Sequence, residues 1–379
     1  MSDFNVMVNG KLLNVFQSIT VTTDFLQASS TADISIPAQP MGVPSLIKAN
    51  DKIVLSYKDN TLINGFVDVI NPVFSMNGIN VAIKLRDMTG DLIDSTIDPG
   101  TVKPISGSVS LKQLLERYID QLGVKMLVKN NVHNPISHFT EKDNITAQPG
   151  ESYFDHMMKY AHKRGCIIRA DGDGNLSIEQ GAKTKFKTKL GIGVIESSNF
   201  KLNMSKRYYK YVLFGQPSQS FTDQTATNST NVQAIAIDKG ADWGATRKSR
   251  VYAFQSDTPL DKKSAQDRVN REANYRRSNS IKYSCTVAGI EPIQDPGKVW
   301  RTNHLVDIRD DAYSLSTTMM IGKVVFNVGM SKSTTQLELL TSDAFSLSVE
   351  KPEKEQKLIG PSDYTMTTAE ALRRTSKQK

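Results

Sequence analysis

The sequence predicts a β-rich α+β protein: two β-barrel units, an α+β unit inserted between them, and a polar C-terminal tail. Three observations carry this reading. Apolar and polar residues alternate with period two through the first hundred residues. The apolar spacing lengthens to that of a helix between residues 111 and 164. Alternation then returns from Phe200 to Leu340.

In the first unit Phe4, Val6 and Val8 alternate up to Asn9-Gly10, a pair suited to a two-residue hairpin turn because both positions need positive φ. Leu12 to Val21 is expected to run back. Ala32, Ile34 and Ile36 form the next run. Lys52–Tyr57 and Leu62–Ile70 follow, joined by Lys58-Asp59-Asn60. Val73–Met76 and Ile79–Leu85 flank a second such turn, Asn77-Gly78. Six or more short strands at this spacing suit a barrel or sandwich. Residues 87–94 read as a short closing helix, and Asp98-Pro99-Gly100 marks the end of a domain covering residues 1–97.

Residues 98–197 read as the inserted unit. Leu111, Leu114, Leu115, Tyr118, Ile119 and Leu122 share one helical face, with Ser108 or Ser110 as cap and Gly123 at the C-terminal end. Val124–Val128 reads as a strand. A second helix is expected over Glu151–Arg164, and Cys166–Arg169 pairs with Leu176–Ile178 across Asp171-Gly172-Asp173-Gly174. Residues 198–345 form the second β unit, with a Ser/Thr/Asn/Gln-rich loop over 216–245 and a polar flanking helix over 262–277. Residues 346–379 are the tail. Within it, Lys351–Lys379 carries seven basic and four acidic residues and few apolar ones. It cannot offset its own ordering entropy and is expected to order against a partner.

At 379 residues the chain has length for two to four domains. No apolar run approaches the ~20 residues of a membrane helix, and the opening lacks the pattern of a secretory signal. Two cysteines, Cys166 and Cys285, make no disulfide framework, which points to synthesis in a reducing cytoplasm. The net charge of +8 comes from 47 basic against 39 acidic residues. So diffuse an excess suits a solvated or protein-facing surface more than nucleic-acid binding. Its densest patches supply the candidate subunit or partner contacts. They are Lys206, Arg207 and Tyr209 in 201–210, Arg276 and Arg277 in 268–277, and Arg373 and Arg374 in the tail.

The search for chemistry returns no constellation. His133, His138, His156, His162 and His304 contain no i, i+4 pair. Asp171, Asp173 and Asn175 open like a calcium loop, but Leu176 stands where glycine is needed and Ala182 where glutamate is needed. Gly191-Ile192-Gly193 lacks the third glycine of a dinucleotide fingerprint, and there is no phosphate loop or nucleophile elbow. Lys206-Arg207-Tyr208-Tyr209-Lys210-Tyr211 interleaves bases with aromatics, as a single-strand-binding surface does, and equally as a strand with one wet face does. The expectation is a non-enzyme with no cofactor and no metal.

Several stretches in order along the chain resemble the baseplate hub proteins of contractile-tailed phages. These are Asn9-Gly10-Lys11, Ile63-Asn64-Gly65-Phe66-Val67-Asp68, Arg86 to Asp94, Glu151-Ser152 with Arg164-Gly165, and Asp171 to Leu176. The family includes the hubs of phage Mu and the T-even phages, the late control protein D group, and the N-terminal part of type VI secretion spike proteins. The resemblance implies two tube-protein-like barrels per chain and a homotrimeric ring of pseudo-sixfold symmetry. Such a ring joins a hexameric tail tube to a trimeric spike, beside other baseplate proteins, with a channel that DNA crosses as cargo. It implies a location in the virion tail after assembly in the bacterial cytoplasm, with no membrane insertion of this chain. The chain lacks the C-terminal length of a fused spike, so a separate spike protein is implied. An alternative of another class is a carbohydrate-binding or cell-wall-degrading tail protein, which needs two carboxylates converging in a cleft.

Overall fold

The computed structural model describes residues 3–13, 15–38, 47–75, 78–143, 145–214, 232–240, 246–256 and 262–342. The first unit contributes β1 (Phe4–Val8), β2 (Lys11–Leu13), β3 (Ser18–Asp24), β4 (Thr31–Ala38), β5 (Lys52–Tyr57), β6 (Asn60–Ser75), β7 (Gly78–Asp87) and α1 (Gly90–Asp94). The middle holds α2 (Leu111–Leu122), β8 (Val128–Asn130), α3 (Tyr153–Lys163), β9 (Ile167–Ala170) and β10 (Leu176–Glu179). Next come β11 (Lys185–Gly191), β12 (Ile195–Leu202), β13 (Lys210–Phe214), β14 (Val232–Ile237), β15 (Val251–Gln255), α4 (Lys262–Ser280), β16 (Ile281–Ala288), β17 (Leu305–Asp310), β18 (Leu315–Gly329) and β19 (Ser333–Thr341).

One sheet of 13 strands runs through both outer parts of the chain. Its main path is β12-β16-β19-β18-β3-β4-β7-β6-β5-β1-β2, with β17 on β18 and β11 on β17. The join is β18 against β3, from Lys323↔Asp24 to Gly329↔Ser18. A single apolar cluster lies under both parts, including Ile19, Ile34, Ile83, Cys285, Phe326 and Leu337. The alternation that predicts strands is the reason: every second residue of these strands enters that core, and the others stay on the opposite face.

β6 and β18 are the two longest strands, and each carries a bulge near its middle. The β6–β7 register shifts between Val67 and Val69, and the β18–β19 register shifts between Ile321 and Lys323. Such a bulge adds one unpaired residue and sharpens the local twist. Before its bulge β6 pairs with β5, over Asn60 to Phe66. β18 likewise pairs with β17 over Leu315 to Met320, and with β3 beyond the bulge.

The insert has its own core and its own sheet, β8-β10-β9. Helix α2 starts in a reciprocal capping box between Ser110 and Gln113 and stops at Gly123, φ 78°. Helix α3 starts on Ser152, whose hydroxyl accepts from Asp155 N at 3.0 Å. The β9–β10 turn lies against the first unit. Asn64 Nδ2 donates to Asp173 O at 2.8 Å, and a Cβ on Gly174 would come within 3.0 Å of Asn64 Nδ2. On the far side Asn303 Nδ2 donates to Glu179 Oε2 at 2.7 Å, and Arg169 pairs with Glu179 at 2.8 Å.

Several expectations need correction. Leu12 to Val21 is not one returning strand: β2 pairs with β1, whereas β3 pairs with β4 and β18. The two runs expected over 62–70 and 73–76 belong, as far as Ser75, to one strand, β6, because the bulge absorbs the break in pattern; Met76 lies outside the described residues. The strand expected at Val124–Val128 is β8, Val128–Asn130. Residues 185–202 supply β11 and β12 of the large sheet, so the 197/198 boundary cuts through β12. The polar stretch 216–245 contains β14, which pairs with β13. Asn77, most of that polar stretch and the tail from residue 343 lie outside the described residues.

Candidate partner-facing surfaces

The small sheet β14-β13-β15 gathers most of the candidate contacts. One face packs on α4 through Tyr211, Leu213, Ala234, Ala236, Ala265, Val269 and Ala273. Lys206 is exposed, on the short turn before β13. Tyr209 is half-buried, and its carbonyl accepts from Asp238 N at 2.9 Å. Arg207 is not a surface contact. Its side chain is buried and paired with Asp238 at 2.6 Å, so it braces this unit from within. Arg276 pairs with Glu272 at 2.6 Å and lies 3.8 Å from the centroid of the Tyr252 ring. Arg277 is half-buried, and its carbonyl accepts from the Ser280 hydroxyl at 2.6 Å. Arg373 and Arg374 lie outside the described residues.

His133 and His138 are exposed, whereas His156, His162 and His304 serve the interior. His156 is fully buried, with Nδ1 3.1 Å from Glu151 Oε2 and its ring edge-on to Tyr118 and Tyr160. Burial pushes its pKa down, against the pull of Glu151. The Glu151 carboxylate also takes Gln148 N at 2.9 Å and Lys159 Nζ at 2.9 Å, so it stitches the loop before α3 to the helix. His162 is pushed down to about 3 by burial and by the Arg271 and Arg268 charges. Arg271 donates to the His162 carbonyl at 2.6 Å and ties α4 to α3. Burial pushes the Cys166 thiol up to about 11, which suits a structural cysteine.

The motif stretches prove to be joints. Asp87 is buried and accepts from Ser29 Oγ at 2.9 Å, Ser30 N at 2.7 Å and Thr89 N at 3.1 Å. Arg86 bridges Asp68, at 2.6 Å, and Asp94. Together they fix the corner where the first unit meets the insert.

The larger surface is one that residue-by-residue reading misses. One row of paired residues runs Ser197, Thr286, Gln336, Val325, Thr22, Thr31, Arg86, Phe66 across eight strands of the large sheet. The flanking rows on this face carry Asn199, Ser284, Asn327, Thr20, Asp33 and Lys84. All of these side chains are half-buried or exposed. Acidic and basic groups lie close together on it: Lys282 pairs with Glu338 at 2.5 Å, Lys323 stands opposite Asp24, and Asp33 stands opposite Lys84. The face is therefore rich in small polar residues and close to charge-balanced, with Val325, Phe66, Val69 and Val73 among its apolar members. The alternation encodes it, but only the pairing order makes it continuous.

No family model and no curated protein matches the chain. Solved structures do. The 43 kDa tail protein of prophage MuSo2 from Shewanella oneidensis is 21% identical and superposes with a TM-score of 0.73, covering 90% of this chain and 99% of that one. A tail protein from Neisseria meningitidis MC58 is 14% identical, with a TM-score of 0.70 over 90% and 97%. The E. coli c3393 protein, a type VI secretion system component described as structurally similar to T4 tail proteins, is 9% identical, with a TM-score of 0.53 over 89% and 76%. The chain therefore has the fold of phage tail proteins.

Proposed function

We propose that this chain is a structural baseplate hub of a phage tail or tail-like particle. Three copies form a ring of pseudo-sixfold symmetry. The ring joins a hexameric tail tube to a trimeric spike and surrounds a channel through which DNA passes. Residues 1–97 and 198–345 are the paired ring-forming units, with β11 and β12 adding the end of the insert to the second, and the rest of residues 98–197 stands outside them. Lys206, Tyr209, Arg276 and Arg277 face neighbouring baseplate proteins, and Arg373 and Arg374 act with the tail on tube or spike. The working location is the virion.

The observation that carries this reading is the eight-strand face of small polar residues, with the core behind it. A wall of Ser, Thr and Asn with balanced charge offers a passing polyanion neither a strong attraction nor a strong repulsion. A sixfold tube and a threefold spike meet without mismatch only through an adaptor carrying both symmetries. One chain with two β-rich parts supplies that.

Native mass measurement and electron microscopy of the purified protein test the proposal. A trimeric ring with an open centre is expected. A strict monomer at high concentration, with tube and spike proteins present, overturns it. Clearing of peptidoglycan by the isolated protein would replace it with the wall-degrading reading.

A further inference from the structure

We propose that the face of the small sheet turned away from α4 docks an acidic segment of another protein. The aliphatic side chains of that segment lie on Ile235, Ile237 and Val251, and one of its carboxylates meets Lys210. This rests on the reading above that the unit faces neighbouring proteins, and it names the surface and the chemistry of the partner.

Side chains of β13, β14 and β15 alternate between two faces. One face carries Tyr211, Leu213, Ala234 and Ala236 against α4. On the other, the register sets out two rows: Ile237, Lys210 and Val251, then Ile235, Val212 and Ala253. Ile235, Ile237 and Val251 are 41%, 46% and 50% exposed. Neighbouring aliphatic groups left this open, with bases beside them, form a patch of the kind that marks a contact site. Lys210 stands at the middle of one row, between two aliphatic side chains. A wholly apolar partner would bury that ammonium without a counter-charge, which is strongly unfavourable. A segment that brings both aliphatic groups and a carboxylate satisfies the whole row.

The charge of the unit agrees. Residues 203–280 hold 13 Lys and Arg against 7 Asp and Glu, a net +6 of the chain's +8. The excess that looks diffuse along the sequence therefore collects in this unit, and the rest of the chain is close to neutral. Two of the acidic groups are already taken, Asp238 by Arg207 and Glu272 by Arg276. The bases gather at the Lys210 end of the sheet. There the Arg250 carbonyl accepts from Tyr209 N and Lys210 N, and the Arg250 side chain donates to the carbonyls of Met204 and Ser205. Lys206, Arg247 and Lys248 are exposed beside this joint. Neither they nor Lys210 form an ion pair with a described residue. Unpaired bases around an aliphatic centre steer an acidic partner to it and select against a basic one.

The same charges exclude the occupants nearest to hand. The tail of this chain, Lys351–Lys379, is itself basic, with seven basic and four acidic residues. A second copy of the face would set Lys210 and its neighbours against their own kind. Single-stranded nucleic acid needs open aromatic platforms, and this face offers one ring, the half-buried Phe214. Tyr252 and Phe254 stack on each other on the α4 side, with Arg276 over Tyr252 at 3.8 Å.

Particles assembled with full-length protein carrying a photoreactive benzophenone side chain at Ile237, or at Val251, test the proposal. Irradiation is expected to join either position to a different protein, through a net-acidic segment with aliphatic residues. An adduct to this chain, to DNA or to a basic segment overturns the docking proposal, as does the absence of any adduct from particles that contain the chain. Absence of the chain from purified particles overturns the hub reading with it. Purified full-length protein gives a second measurement, by titration with a labelled peptide of alternating glutamate and leucine and with its lysine–leucine counterpart. The acidic peptide alone is expected to bind, and Lys210→Glu or Ile237→Ser to weaken it about tenfold or more. Equal binding of the two peptides, or affinity unchanged in both variants, overturns the proposal.

Discussion

Arg207 grips Asp238 with two parallel hydrogen bonds, Nε to Oδ2 at 2.6 Å and Nη2 to Oδ1 at 2.9 Å, at the base of the small three-stranded sheet. The arginine side chain is fully buried and the aspartate nearly so. Asp238 follows the end of β14, and Arg207 precedes β13, so one pair of charges holds both strands to the seat of α4.

Removing either partner leaves the other charge buried and uncompensated. Arg207→Ala or Asp238→Ala is expected to cost about 3–5 kcal/mol, read as a lower urea midpoint. Lys206→Ala, on an exposed neighbour, should change stability by less than about 0.5 kcal/mol. Equal effects of the two arginine and lysine changes would show that the pair is not a brace.

Gly65 is fixed by the approach of β7. A Cβ there would meet the Arg86 carbonyl oxygen at 1.9 Å, and the obstacle is backbone, which cannot swing away. Gly65→Ala should therefore break the β5–β6–β7 ladder and yield insoluble or unfolded protein on expression. Recovery of soluble protein with an unchanged melting temperature would contradict this packing.

Acid should loosen the fold before its carboxylates titrate. Burial lowers His156 and His304 below the ordinary value, and His162 falls to about 3. Between those values and about 6.5 the unfolded chain takes up protons that the folded chain refuses, so stability falls as pH drops through that window. Each such histidine contributes at most about 1.4 kcal/mol per pH unit. Glu151 and Glu179 have lowered values and weaken the fold only further down, below about pH 4.3. Urea titrations at pH 7.5 and 5.5 should show the loss, and His162→Gln should flatten it. A stability independent of pH over that range would refute the assignment.

The helical parts were legible because their signals are local. Ser110, the stripe from Leu111 to Ile119, and Gly123 specify α2 within a few residues of one another. Asn9-Gly10 likewise adopts φ 48° and 80° as the turn requires. β11 carried a readable pattern, with Phe186, Thr188 and Leu190 buried between exposed lysines, but its charge disguises it. The β18–β3 join left no local trace, since Val325 and Thr22 meet across some three hundred residues. Arg207 looked like a surface base because its partner Asp238 lies 31 residues away.

The β3–β18 ladder also decides how the molecule carries load. Seven residue pairs, from Lys323↔Asp24 to Gly329↔Ser18, bind the two outer parts of the chain. A pull along the strands loads all of these hydrogen bonds in shear at once, whereas a pull across them would peel the bonds one by one. A push or pull directed along the strands therefore meets the stiffest direction of the joint, and the two halves answer it as one piece.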